Sequence, residues 1–115
     1  MSVTIYHNPR CSKSRQTLAL LQEKGIEPEI VEYLKTPPSA AELKNILGLL
    51  AMSPRDLMRR GEAAYKDGNL GDASKSDEML IEAMVAEPIL IERPIVLAGG
   101  KARLGRPPET VLEIV

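Results

Sequence analysis

The chain opens on a β-rich run, Val3-Thr4-Ile5-Tyr6, which predicts a strand. His7-Asn8-Pro9-Arg10 interrupts it with turn residues. From residue 12 to 24 the period changes. Leu18, Ala19 and Leu21 recur at helical spacing, Gln22, Glu23 and Lys24 lie on the outer side, and Gly25 supplies a stop. The first unit therefore reads as strand, tight turn, helix. Residues 29–34 are a second β-rich run. A helix in the connection predicts a parallel pair with a right-handed crossover.

Thr36-Pro37-Pro38 ends that strand, and Ser39 with Glu42 forms a capping box before a helix of about a dozen residues. Ser53-Pro54 starts another helix, with Ser as N-cap and Pro in the first turn, and this helix is expected to carry Arg55, Arg59 and Arg60. Residues 66–75 are rich in Gly, Asp and Asn and read as a loop. A further helix is expected from Ser76 to about Ala86, with Met79, Leu80, Ala83 and Met84 apolar. The pattern then returns to β: residues 89–91 and 94–97 are apolar runs, Gly99-Gly100 signals a hairpin, and residues 101–104 form the returning strand. Pro107-Pro108-Glu109 opens a short final helix over 109–114.

The order is βαβ, several helices, then ββα. This is the thioredoxin/glutaredoxin plan, an α/β fold with a mixed sheet and a helical insert between the βαβ and ββα halves. At 115 residues, a single domain over 1–115 is expected. A chain of this size buries roughly two-thirds of the surface it exposes when unfolded, so no disulfide or metal staple is needed. With no Phe or Trp and three Tyr, the core must be aliphatic. A formal net charge of −1 gives no basic excess for nucleic-acid binding. No apolar run approaches the roughly 18 residues of a membrane span, and no leader pattern precedes the first strand, so a cytoplasmic protein that uses neither membrane nor nucleic acid is expected. A single Cys fits a reducing compartment, and one Cys with one His is too few for a zinc set without carboxylates.

Cys11 carries the sharpest chemistry. A lone Cys is often just a small buried hydrophobe. This one follows a strand and a Pro-containing turn and immediately precedes a helix, where free N–H groups and the helix dipole favour a thiolate, the reactive form. Arg10, Lys13 and Arg15 add positive charge beside it. His7, the only His, is either a turn residue at a strand end or a group that orients the Cys11 loop and donates to the thiolate. Ser14 offers a hydroxyl near the same thiol. Arg93 before Pro94 and Arg106 before Pro107 both flank apolar strands, and Arg is the side chain whose planar fork matches paired oxyanion oxygens. Arg15, on the first helical turn, is a further candidate for oxyanion contact. A phosphatase-type loop would place Arg six positions after the Cys, where Thr17 stands, and Lys13-Ser14 lacks the preceding glycines of a phosphate-binding loop.

His7-Asn8-Pro9-x-Cys11-x-x-Ser14-Arg15, Tyr33-Leu34-x-x-Pro37-Pro38, Arg93-Pro94-Ile95-Val96 and Arg103-Leu104-x-Arg106-Pro107 occur in order over essentially the whole chain. Together they resemble the ArsC family, the glutaredoxin-fold, glutathione-linked arsenate reductases, in their short chromosomal form. The resemblance implies arsenate as substrate, glutathione as co-substrate, glutaredoxin as partner and no bound cofactor or metal. It also implies Cys11 as nucleophile and Arg59, Arg93 and Arg106 as the oxyanion site, with Arg60 adjacent to Arg59. His7 and Ser14 would hold the Cys11 loop and favour the thiolate, and Pro94 would be the cis-proline of thioredoxin-like folds. No second Cys is available to resolve an intermediate, so an external thiol is required. Two alternatives stay open: a glutathione-linked thiol-disulfide oxidoreductase acting on other substrates, and an Spx-like regulator that binds RNA polymerase. Spx-type proteins often carry Cys-x-x-Cys, and position 14 here is Ser.

Overall fold

The computed structural model describes residues 2–115. They fall into two compact units. One is built from the residues up to Thr36 together with Arg93–Val115, and the other is Pro37–Glu92.

The first unit contains the sheet. Strand β1 is Val3–Tyr6, helix α1 is Ser12–Glu23 and strand β2 is Glu29–Val31; after the helical segment come β3, Ile95–Ala98, and β4, Lys101–Leu104. The strand order is β2-β1-β3-β4. β1 pairs with β2 in parallel and with β3 antiparallel, and β3 and β4 form the hairpin. This is the mixed sheet of a thioredoxin-like α/β fold. Gly99 and Gly100 both have positive φ, as a tight hairpin turn demands. Register decides the core. Val3 lies opposite Ala98 and Ile5 opposite Val96, so these four point to one face. There they meet Leu21 of α1 and Val111 and Ile114 near the C-terminus. Burying a side chain such as Leu21, which is fully inaccessible, contributes about 1.5–3 kcal/mol.

Helix α1 stops where the sequence predicts. Gly25 has φ +77°, its N–H bonds Gln22 O, and the N–H of Ile26 bonds Leu21 O, which is a Schellman closure. β2 is shorter than the run that predicts it: after Val31 the chain turns through residues 33–35, and Lys35 N bonds Glu32 O. The C-terminal segment is a 3₁₀ helix, Pro108–Glu113, rather than an α-helix.

The second unit is helical. α2, Ala40–Leu50, has the complete predicted capping box between Ser39 and Glu42. Its buried face, Leu43, Ile46 and Leu47, is matched by Leu80, Ile81 and Met84 of α5, Asp77–Ala86. Ser76 caps α5 by accepting from Met79 N. Two expectations fail here. The helix begun at Pro54 is only α3, Pro54–Leu57. Met58 leaves it with φ −85° and ψ 143° and bridges to Ile91, so Arg59 and Arg60 are not helical. Such a short helix makes few internal bonds, and tertiary pairing overrides local preference. The apolar run 89–91 is likewise not a strand: Pro88–Leu90 forms a 3₁₀ turn, and only Ile91 pairs. A short helix, α4, Ala63–Asp67, extends into the segment read as loop. No helix among the described residues is long and apolar enough to cross a membrane.

Candidate functional site: the Cys11 loop

Pairing of the sheet continues one residue past β1, since His7 N donates to Val31 O at 2.8 Å. Pro9 cannot continue a ladder, so the chain turns there. Cys11 N donates to Asn8 O at 3.0 Å, and Arg15 N donates to Cys11 O at 3.0 Å, which starts α1. Cys11 is therefore the N-cap residue, extended at φ −91° and ψ 123°. Its thiol sits at the positive end of the helix, as its sequence position predicts, and the residue is 8% exposed.

The loop is pinned from the first turn of α1. Ser14, fully buried, places Oγ 2.6 Å from His7 Nδ1 and accepts from Asn8 N at 3.0 Å. Arg15 Nη1 donates to Pro9 O at 2.9 Å, and Asn8 Oδ1 accepts from Arg10 N at 3.0 Å. Burial holds the His7 imidazole below its ordinary range, opposed by the nearby Glu32 carboxylate and reinforced by Arg15. Ser14 Oγ already accepts from Asn8 N, so its own proton is available to a neutral Nδ1. Ser14 thus bonds His7, while Arg15 bonds the loop backbone at Pro9. Asn8, which the motif reading left without a role, organises the turn with its N–H, its carbonyl and its side chain; an Asn-Pro pair is the sequence signal for such a turn.

The other side of the site comes from the segments flanking β3 and β4. Arg106 Nη2 lies 3.8 Å from Cys11 Sγ, and Arg106 Nε donates to Arg93 O at 2.8 Å. Arg93 and Arg106 are thus joined, and Nε and Nη1 of Arg93 are buried. The Arg93–Pro94 and Arg106–Pro107 peptides are both cis. Gly105 N donates to Pro94 O at 2.9 Å. This approach requires glycine: a Cβ at Gly105 would meet Thr17 Oγ1 at 2.5 Å and Pro94 Cγ at 2.7 Å. Thr17 is fully buried on α1 and donates to Lys13 O. Composition gave no hint of this contact. Arg103 belongs elsewhere, with Nε 3.0 Å from Glu113 Oε1.

Arg59 lies in the second unit, on an extended segment whose N–H donates to Leu90 O at 2.7 Å. Its guanidinium is 3.4 Å from Glu62 and 3.8 Å from Glu92. Arg60 is exposed, and Arg55 clasps the backbone at Leu70 and Asp72. Among the described residues, no group of three His, Cys, Asp or Glu side chains is placed to hold a metal ion.

The ArsC family model matches residues 6–114. Escherichia coli K12 has a protein, YfgD, that is 64% identical over 98% of this chain and 96% of its own length. The Haemophilus influenzae arsenate reductase is 52% identical over the full length of both. A solved structure of an arsenate reductase from Vibrio cholerae superposes with a TM-score of 0.98 at 56% identity, covering 100% of this chain and 98% of that one. A match over this span, with the Cys11 loop and the two Arg-Pro segments brought together as described, means that the chain belongs to the ArsC family.

Proposed function

We propose that the protein is a thiol-dependent arsenate reductase with Cys11 as its nucleophile. The observation that carries this reading is Cys11 Sγ at the start of α1 with the Arg106 guanidinium 3.8 Å away. The relatives named arsenate reductase support arsenate as the substrate.

The Cys11 thiolate adds to arsenic(V), and one arsenate oxygen leaves as water after protonation. An As–S bond forms and the oxidation state is unchanged. Arg106 and Arg93 stabilise the oxyanion charge, as preorganised donors at a buried site do. Arg15 is a further member of that anion site. His7 and Ser14 hold the loop so that Sγ stays at the helix end. An external thiolate then attacks Sγ. An S–S bond forms, the As–S bond breaks with its electron pair on arsenic, and arsenite leaves as arsenic(III). A second thiol attacks the mixed disulfide and frees Cys11. Two thiols become one disulfide, which supplies the two electrons. With a single Cys in the sequence, both thiols come from outside. Glutathione supplies the first and glutaredoxin the second, which resolves the mixed disulfide, and this suits a cytoplasmic protein.

A coupled assay with glutathione, glutaredoxin, glutathione reductase, NADPH and arsenate tests this. Arsenate-dependent NADPH oxidation is expected, and it should vanish in Cys11→Ser. Absence of turnover overturns the arsenate reading, while turnover by Cys11→Ser overturns the nucleophile.

A further inference from the structure

Thr17 stands on α1 six residues after Cys11, about 9 Å further along the helix, and is fully buried. Its Oγ1 donates to Lys13 O at 2.8 Å. A threonine is stiff at χ1, and this bond fixes how its two branches are turned. Both branches meet the same neighbour. A Cβ built on Gly105 would lie 2.5 Å from Oγ1 and 3.1 Å from Cγ2, so the glycine backbone already rests against the threonine side chain. Pro94 Cγ closes the same space at 2.7 Å, and Gly105 N is bonded to Pro94 O.

Arg106 is the next residue. Its Nε donates to Arg93 O at 2.8 Å, and its Nη2 lies 3.8 Å from Cys11 Sγ. The guanidinium therefore has a tether at Arg93 and a stop one residue before it at Gly105. Helix α1 carries both the thiol and the stop, since Cys11 caps it and Thr17 projects from it. A change in the bulk of Thr17 displaces the Gly105–Arg106 segment relative to the helix that bears Sγ. Close-packed interiors transmit such a change rather than absorb it.

We infer that Thr17 is a positioning residue for the anion site: its side chain is the stop that sets the gap between the Arg106 guanidinium and Cys11 Sγ, and with it the preference of the thiol for negatively charged partners over neutral ones. This rests on the proposed role of Arg106 beside Cys11, and not on arsenate as the substrate. Thr17, being fully buried, acts through Gly105 and Arg106. A valine in its place puts a methyl where the hydroxyl stood. It cannot bond Lys13 O and needs more room against Gly105, so the guanidinium withdraws from Sγ. A serine keeps the hydroxyl, its bond and the nearer contact, and loses only the methyl.

Alkylation tests this without arsenate, and Cys11 is the single Cys in the chain, so it reads one thiol. Rates are measured with iodoacetate, an anion, and with iodoacetamide, its neutral analogue, at one pH and low ionic strength. Their ratio reports positive charge at Sγ and cancels the general reactivity of the thiol. Arg106→Ala should lower the ratio by about threefold or more, and Thr17→Val should fall toward that value while its iodoacetamide rate stays within about twofold of wild type. Thr17→Ser should keep the wild-type ratio. Should valine not be accommodated in the fold, Thr17→Ala, which removes the stop, carries the same expectation. A wild-type ratio in Thr17→Val overturns the inference, and so does an equal fall with both reagents, which a merely loosened fold would give. A ratio in Thr17→Ser as low as in Thr17→Val overturns the hydroxyl as the stop. A wild-type ratio in Arg106→Ala overturns the reading of Arg106 beneath it, whether or not arsenate is reduced.

Discussion

Arg106 and Cys11 are 95 residues apart in the chain, yet Nη2 of one lies 3.8 Å from Sγ of the other. The contact depends on three constraints that meet at one place: the Arg93 carbonyl that holds Nε, the Gly105–Pro94 backbone bond, and the close approach of Gly105 to Thr17. Arg106→Ala should lower kcat/KM for arsenate by about 10²-fold, the scale for losing a preorganised donor at a developing oxyanion. Arg106→Lys should fall between, because an ammonium keeps the charge and loses the planar fork. Steady-state rates with arsenate varied check both.

Gly105→Ala should destabilise the protein by about 1–3 kcal/mol, since the added methyl must displace Thr17 Oγ1 or Pro94. Denaturant unfolding measures the loss. In a Thr17→Ala background the same substitution should cost less, and a double-mutant cycle should return a favourable coupling. Strict additivity would show that the two side chains do not compete for the space.

Ser14→Ala removes the oxygen that bonds both His7 Nδ1 and Asn8 N. Leaving buried polar groups without their partner costs about 1–3 kcal/mol. Urea unfolding should show that loss. The Cys11 loop should also become more reactive toward proteases, and its amide protons should exchange faster.

The buried His7 titrates below the ordinary value of 6.5. The sign follows directly. The unfolded state binds the proton more readily, so stability is fully present above the ordinary His pKa and declines as pH falls below it. One proton limits the slope to about 1.4 kcal/mol per pH unit. Unfolding free energies measured between neutral and mildly acidic pH should therefore decrease. The difference between wild type and His7→Gln should shrink over the same interval.

Ala51 ends α2 at φ 55°, in the left-handed region that L-residues disfavour. Ala51→Gly should stabilise the protein by about 0.5–1 kcal/mol, because relief of the left-handed penalty exceeds the added chain entropy of the unfolded state. A higher denaturation midpoint at unchanged m-value is the expected result.

Much of this was legible in the chain because it is local. The β-rich run at residues 3–6, the helical period to Gly25, the Ser39/Glu42 capping box and the apolar positions between Ser76 and Ala86 are short-range signals, and they match β1, α1, α2 and α5. Cys11 could be placed at a helix start for the same reason. The errors fell where long-range pairing wins. The pattern predicts a helix through Arg59, but Met58 leaves it to pair with Ile91, and the apolar run 89–91 predicts a strand because such a run does not distinguish a strand from a buried turn.

By itself the sequence determined that there is one thiol, that it caps a helix, and that any disulfide it forms must involve another molecule, since these follow from residue identity and local spacing. Only the tertiary structure decided which cation meets that thiol. Arg93 and Arg106, each before a Pro, are both candidates in the sequence. Packing around Gly105 brings Arg106 to Cys11 across 95 residues, and no local spacing encodes an approach of that range.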